Sequence, residues 1–290
     1  MLDGALAIAL PTQQGQSLVV ETGYGIGTAM YWKSYNTEQE VWFEGTFEIP
    51  TGKCLTASDE KVGERLETIL EAARVLNPQF LTTEQEGLIV STHLDFPNEW
   101  GLGTSSTLLY NIAAWANVDA FELSNATFGS SGYDIACAGA KGPIAYHRLP
   151  KPTMEPVFFN PIFTPQLYFV YLGQKQNSRE GIARYRQKVA NAQSAIQDIS
   201  VLSNLLLKAV LLEDFEETIR EHEAIVSTFL DLPRAKKLYF DDFWGEVKSL
   251  GAWGGDFVLV TSNRSEAETR QYFNHKGFEV FLKYGDLIRS

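Results

Sequence analysis

Short runs rich in β-branched and aromatic side chains fill the first part of the chain, at residues 5–10, 17–21, 28–34 and 41–47. Turn-forming residues separate them at 13–15, 23–27 and 36–38, so the pattern reads as strands joined by hairpin turns. The spacing changes after Asp59. Val62, Leu66, Ile69, Leu70 and Ala73 fall on one face of a helix predicted over 59–76, with Asp59 as its N-cap and Asn77-Pro78 as its stop. A strand-like run at 87–96 ends at Pro97. Leu108, Leu109, Ile112 and Ala113 then share one face of a helix predicted over 105–117.

The second half mixes short strands, at 143–147, 157–159 and 167–172, with long helices at 178–188, 192–211, 214–230 and 234–250. A strand at 256–261, a helix at 265–274 and a strand at 277–282 close the chain. Strands come in neighbouring runs rather than in strict alternation with helices. That predicts an α+β architecture with a mainly antiparallel or mixed sheet. A stretch with four prolines, 151–165, marks the expected boundary between two lobes, 1–155 and 156–290.

Composition narrows the function classes. A chain of 290 residues can bury a sizeable core in one large domain or two modest ones. A net charge of −12 argues against a general nucleic-acid binder, although a few placed Lys and Arg can still form a local positive cleft. Cys54 and Cys137 offer neither a disulfide framework nor a zinc-binding spacing, which points to a reducing cytoplasm. His93, His147, His222 and His275 are scattered without ligand spacing. The longest apolar run near the N-terminus, 5–11, is too short for a membrane span and lacks the basic flank of a signal peptide. The expected partner is therefore a small molecule, with no nucleic acid and no membrane. An exposed edge strand at 5–10 would let two copies pair, so a homodimer stays open.

The chemistry concentrates in four segments. The first is Pro97 to Trp115, where a loop with Gly101 and Gly103 leads through Thr104, Ser105 and Ser106 into a helix. Glycines allow close backbone approach, and a helix N-terminus offers unpaired N–H groups and a positive dipole end. Hydroxyls can bind a phosphate oxygen or a metal ion. The same residues also suit a tight loop and a Ser/Thr-capped helix. The segment is neither a Walker A loop nor a dinucleotide fingerprint, since it has no Gly-Lys-Ser/Thr and has Ser at 106. The second segment places Asp134 between the glycine loop 129–132 and an apolar run, as a general base, an orienting carboxylate or a turn cap. The third, 248–261, has a helix ending at Gly251 and a loop with Gly254 and Gly255. It serves either close ligand approach or a helix C-cap and turn. In the fourth, Lys175 and Ser178 precede Arg179, Arg184 and Arg186, which suits an anionic substrate group or a solvated helix face.

In this order the segments resemble the GHMP small-molecule kinases. Pro97-x-x-x-Gly101-Leu102-Gly103-Thr104-Ser105-Ser106 resembles the family's phosphate loop. Gly251-Ala252-Trp253-Gly254-Gly255-Asp256 resembles its C-terminal glycine loop, and Gly132-Tyr133-Asp134-Ile135-Ala136 the segment of its catalytic aspartate. Residues 2–10 resemble the end of its first motif. The resemblance implies a ribosomal-S5-like N-terminal lobe and a ferredoxin-like C-terminal lobe. ATP would lie with its phosphates over 101–106, bound by Pro97, Gly101, Leu102, Gly103, Thr104, Ser105 and Ser106. Ser105 or Ser106 would help hold Mg²⁺, and Asp134 would orient or deprotonate the acceptor hydroxyl. Lys175, Ser178, Gly132, Gly254 and Gly255 would line the acceptor.

The isoprenoid branch is the most similar, through Gly129-Ser130-Ser131-Gly132-Tyr133-Asp134-Ile135-Ala136 and Gly254-Gly255-Asp256. It implies mevalonate or phosphomevalonate as acceptor. Departures are also legible. The sequence begins at Met1-Leu2-Asp3-Gly4, without the Pro-Gly-Lys strand and Gly-Glu turn that open the first motif. Trp253 stands for a glycine, and Leu250 for the usual Ser or Thr. Glu122 lies one residue out of register with the metal-binding Glu of mevalonate kinases. The expected function is ATP-dependent phosphoryl transfer to a small anionic metabolite. The alternative is a catalytically impaired protein of the same fold that binds a ligand or a partner.

Overall fold

The computed structural model describes residues 1–23, 27–82, 86–129, 131–174, 178–188, 192–251 and 256–289. They form two compact units that interleave along the chain. One comprises Gln14–Asn98 and Leu102–Gly139, and the other Met1–Gln13, Glu99–Gly101 and Ala140–Ser290. The sequence suggests one boundary at 155–156. In the fold the opening residues group instead with the C-terminal part, because strand β1 (Ala7–Ala9) pairs with β7 (Ile144–His147).

The first unit is a five-stranded mixed sheet under helices. Its strands are β2 (Gln16–Thr22), β3 (Ala29–Tyr35), β4 (Val41–Glu48), β5 (Cys54–Ala57) and β6 (Leu88–Leu94), in the order β2-β6-β3-β4-β5. Only the β3–β6 pair is parallel. Alternation sets the faces: Met30, Trp32 and Ser34 are buried, whereas Tyr31 and Lys33 are exposed. The buried side carries α1 (Glu60–Leu76), α2 (Thr104–Ala116), α3 (Ala120–Thr127) and the short α4 (Tyr133–Gly139). Leu66, Ile69, Leu70 and Ala73 of α1 meet Phe43, Phe47, Leu109, Ile112 and Ile135 in one core. Each large apolar side chain buried there contributes roughly 1.5–3 kcal/mol. Asp59 caps α1 by accepting from the Val62 N–H at 3.1 Å, as the sequence predicts, and Asn77 ends it.

The second unit holds two sheets. β1, β7 and β8 (Thr153–Pro156) form one, in the order β1-β7-β8. β9 (Leu167–Tyr171), β10 (Val247–Ser249), β11 (Phe257–Thr261) and β12 (Phe281–Lys283) form the other, antiparallel throughout, in the order β10-β11-β9-β12. Its helices are α5 (Ser178–Lys188), α6 (Gln193–Lys208), α7 (Leu212–Leu230), α8 (Ala235–Tyr239), α9 (Glu266–His275) and α10 (Tyr284–Leu287). β1 lies at the edge of its sheet. Beside it, at Leu6, the backbone is closed by α6: Ser200 Oγ accepts from the Leu6 N–H, and Ser203 Oγ donates to its carbonyl.

Two expectations need correction. Residues 234–250 do not form one helix. The helix stops at Tyr239, and β10 follows. Phe240, Phe243, Trp244 and Val247 have helical spacing, but they reach the core from a turn and a strand. Phe240 and Phe243 pack on Phe273 at centroid distances of 5.1 and 5.0 Å. Gly245 explains the break, since a Cβ there would run into the Thr261 backbone. The residues ahead of Gly251 are therefore strand β10, antiparallel to β11, and no helix ends at Gly251. The strand expected at 157–159 lies upstream instead, as β8, and the Val157 N–H closes onto the Pro143 carbonyl. Among the described residues, no helix is long and apolar enough to cross a membrane.

Candidate active site

The first turn of α2 departs from a capped helix. Gly103 is the N-cap residue, with φ +84 and ψ 31, and no side chain caps the helix. That backbone is left-handed, where glycine alone sits without strain. A Cβ at Gly103 would meet no atom of the described residues within 4 Å. The hydroxyls that suggest caps are placed otherwise. Thr104 Oγ1 donates to Asn98 Oδ1 at 3.2 Å, and Thr107 Oγ1 bonds Gln16 Oε1 at 2.8 Å. The Ser106 and Thr107 N–H groups already return to the Gly103 carbonyl. Among the described residues, nothing accepts from the N–H of Thr104 or Ser105. Ser105 is exposed and Ser106 half-buried.

Sequence reasoning missed Arg65. It lies on α1, and its Nη1 sits 3.4 Å from Ser105 Oγ. Its guanidinium lies 5.1 Å from the centroid of the Phe128 ring. Forty positions separate Arg65 from Ser105, so no local signal marks the pair.

Gly101 has a different purpose from Gly103. It groups with the second unit, as do Glu99 and Trp100. The Tyr171 phenol donates to the Glu99 carbonyl at 2.9 Å, and Trp100 meets Phe257 edge-on at 5.6 Å. A Cβ at Gly101 would run into the Asp256 carboxylate. Burial, and then the charges of Glu99 and Asp256, push the Tyr171 phenol up. The glycine of the loop's first half makes room for a carboxylate, and that of its second half opens a helix.

Asp134 is exposed in the first turn of α4, which the chain enters through buried, left-handed Gly132 at φ +79. The Tyr133 N–H donates to Ser131 Oγ at 3.3 Å. Burial raises the Tyr133 phenol and pushes the Cys137 thiol up to about 12; the Asp134 charge adds to both. Cys137 is thus an inert thiol beside the carboxylate. At the other end of α4, Gly139 lies against the Tyr110 ring of α2, so the two helices that carry Ser105 and Asp134 pack together.

Pro97, Leu102, Gly103, Thr104, Ser105, Ser106, Gly132 and Asp134 therefore share one unit. Lys175, Trp253, Gly254 and Gly255 lie outside the described residues. Ser178 is the first residue of α5 in the second unit. Glu122 is exposed in the first turn of α3, where its N–H donates to the capping Asp119 at 2.8 Å. Among the described residues, no group of three His, Cys, Asp or Glu could hold a metal ion.

No protein-family model matches the sequence, and no curated protein does. Solved structures do match the fold. The Methanococcus jannaschii mevalonate kinase superposes with a TM-score of 0.70 at 12% identity, covering 99% of this chain and 92% of that one. The Streptococcus pneumoniae phosphomevalonate kinase gives 0.64 at 14% identity, covering 97% and 93%. A D-glycero-D-manno-heptose 1-phosphate kinase gives 0.59 at 13% identity, covering 99% and 89%. With a mixed α+β architecture and near-complete coverage, the chain has the fold of the GHMP kinases.

Proposed function

We propose that the protein transfers the terminal phosphoryl group of ATP to a small anionic metabolite, with mevalonate and phosphomevalonate as the first acceptors to test. One observation carries the reading: in a chain with this fold, α2 starts on left-handed Gly103 without a side-chain cap. Phosphoryl transfer needs alignment and charge neutralisation more than covalent help. The N–H groups of Thr104 and Ser105 supply oriented donors for phosphate oxygens, and the α2 dipole favours negative charge there.

The residues fit Mg²⁺ as a companion of the nucleotide. Ser105 and Ser106 offer neutral hydroxyl oxygens, a donor type that suits this hard cation. The lack of a carboxylate or histidine cluster among the described residues is consistent with a metal shared with phosphates. Mg²⁺, when bound, would neutralise charge on the phosphate oxygens. Asp134 then holds the acceptor hydroxyl in line and takes its proton. Lys175, Ser178, Gly132, Gly254 and Gly255 complete the proposal on the acceptor side.

ADP release is the direct test. Purified protein with Mg²⁺ and ATP is offered mevalonate, phosphomevalonate and a sugar phosphate in turn. Turnover with one of the acids supports the reading. No release above the acceptor-free blank with any of them overturns it.

A further inference from the structure

We infer that Arg65 is a phosphate-binding residue for the nucleotide, a role that rests on the kinase reading above. The observation is an electrostatic mismatch. Some basic side chains of this acidic protein find carboxylates: Arg220, Arg234 and Lys236 all meet Glu246, Lys248 meets Glu223 and Arg270 meets Glu266. Others, such as Arg74 and Arg148, settle on backbone carbonyls. Among the described residues no carboxylate pairs with Arg65. Its neighbours three and four positions away on α1 are Lys61, Val62, Thr68 and Ile69, none of them acidic.

Arg65 instead points at the α2 N-terminus. Its Nη1 stands 3.4 Å from Ser105 Oγ, and the Phe128 ring supports the guanidinium face at 5.1 Å. A cation beside the positive end of a helix is unfavourable on its own, and an anion relieves both charges at once. The Phe128 face also limits the rotamers of a long side chain, so little freedom remains to lose when a ligand arrives. A guanidinium keeps its charge at every working pH and presents five donors in a rigid fork. The Ser105 contact uses one donor and leaves others for phosphate oxygens. Arg65 and the Thr104 and Ser105 N–H groups thus address the same anion.

The test is calorimetry on the full chain with MgATP and, separately, with adenosine. Arg65→Gln is expected to weaken MgATP binding about tenfold, in keeping with loss of one charge-assisted contact, and to leave adenosine binding unchanged. Arg65→Lys should recover part of the loss, because charge returns without the fork. Phe128→Leu, which keeps the cation but removes its support, should weaken MgATP by a smaller factor. Wild-type affinity in Arg65→Gln would overturn the assignment and leave the kinase reading standing. Equal losses for MgATP and adenosine would also overturn it, since Arg65 would then shape the pocket rather than bind phosphate. Absence of MgATP binding in the unmodified protein would overturn both.

Discussion

Two helices of this protein begin beside hydroxyl side chains, and they begin differently. α9 closes its own first turn. Ser265 Oγ accepts from the Glu268 N–H at 3.3 Å, and the Glu268 carboxylate accepts from the Ser265 N–H at 3.2 Å. α2 spends none of its hydroxyls this way; Gly103 opens it, and an arginine waits beside Ser105. The same residue types make a finished end in one place and an unfinished one in the other. A capping box satisfies donors locally and adds stability. A helix left uncapped forgoes that stability, which suits the phosphate-binding turn proposed for α2.

The largest effect that would sharpen this contrast is expected at α4, another helix entered through a left-handed glycine. Asp134→Asn should lower turnover about 10²–10⁴-fold, the range expected when a general base is removed, while MgATP affinity and melting temperature stay close to wild type. ADP release, calorimetry and thermal unfolding read the three quantities. If ATP binding or stability falls instead, Asp134 belongs with structural residues such as Ser265.

The two loop glycines give the next test. Gly101→Ala combines a φ of +67 with a collision against the Asp256 carboxylate, and should cost roughly 2 kcal/mol or more of stability. Gly103→Ala meets no atom of the described residues and should cost only the left-handed strain, on the order of 1 kcal/mol. Its MgATP affinity should nevertheless drop, because the relaxed backbone turns the Thr104 and Ser105 N–H groups away. Denaturant unfolding and calorimetry separate the two. Equal stability losses would show that the Asp256 carboxylate moves aside freely.

Much of this was legible in the sequence because it is local. Asp59 and Ser265 announce helix starts, Gly103 and Gly132 allow turns, and the spacing of Leu66, Ile69, Leu70 and Ala73 needs only one helix to make sense. What was not legible depends on distant backbone. Phe240, Phe243, Trp244 and Val247 mimic a helix, and only the approach of Gly245 to Thr261 shows why the chain turns into a strand. Nothing local marks Arg65, and only α2 brings Ser105 to it from forty residues away. Gly101 reads as a phosphate-loop glycine, and nothing local shows that a Cβ there would meet the Asp256 carboxylate. Short elements such as β5 and α3 give too few periods to count.

A smaller effect belongs to the closed helix. Ser265→Ala should cost about 1 kcal/mol, or roughly 2–4 °C in melting temperature for a chain of this size, and should leave MgATP affinity and turnover unchanged. Ser105→Ala should do the reverse: an unchanged melting temperature with a higher Mg²⁺ requirement for turnover. A stability loss in Ser105→Ala equal to that of Ser265→Ala would erase the distinction between the two helix starts.

The smallest effect follows from the charge in the capping box. Hydrogen bonds from the Ser265 side chain, then from its backbone N–H, hold the Glu268 carboxyl below its usual range. A carboxyl depressed in the folded state stabilises above its unfolded pKa, about 4.3, and that contribution is lost as pH falls through the lower folded value. Wild type should therefore lose part of its advantage over Ser265→Ala in acid. Thermal unfolding of both proteins from about pH 6 down to about pH 3 should show the gap narrowing. Because the pair differs only at residue 265, other carboxylates titrate in both and cancel. A gap that stays constant would mean that the hydroxyl alone closes α9. The reciprocal half of the box would then contribute nothing, and α9 would differ from α2 by a single hydrogen bond.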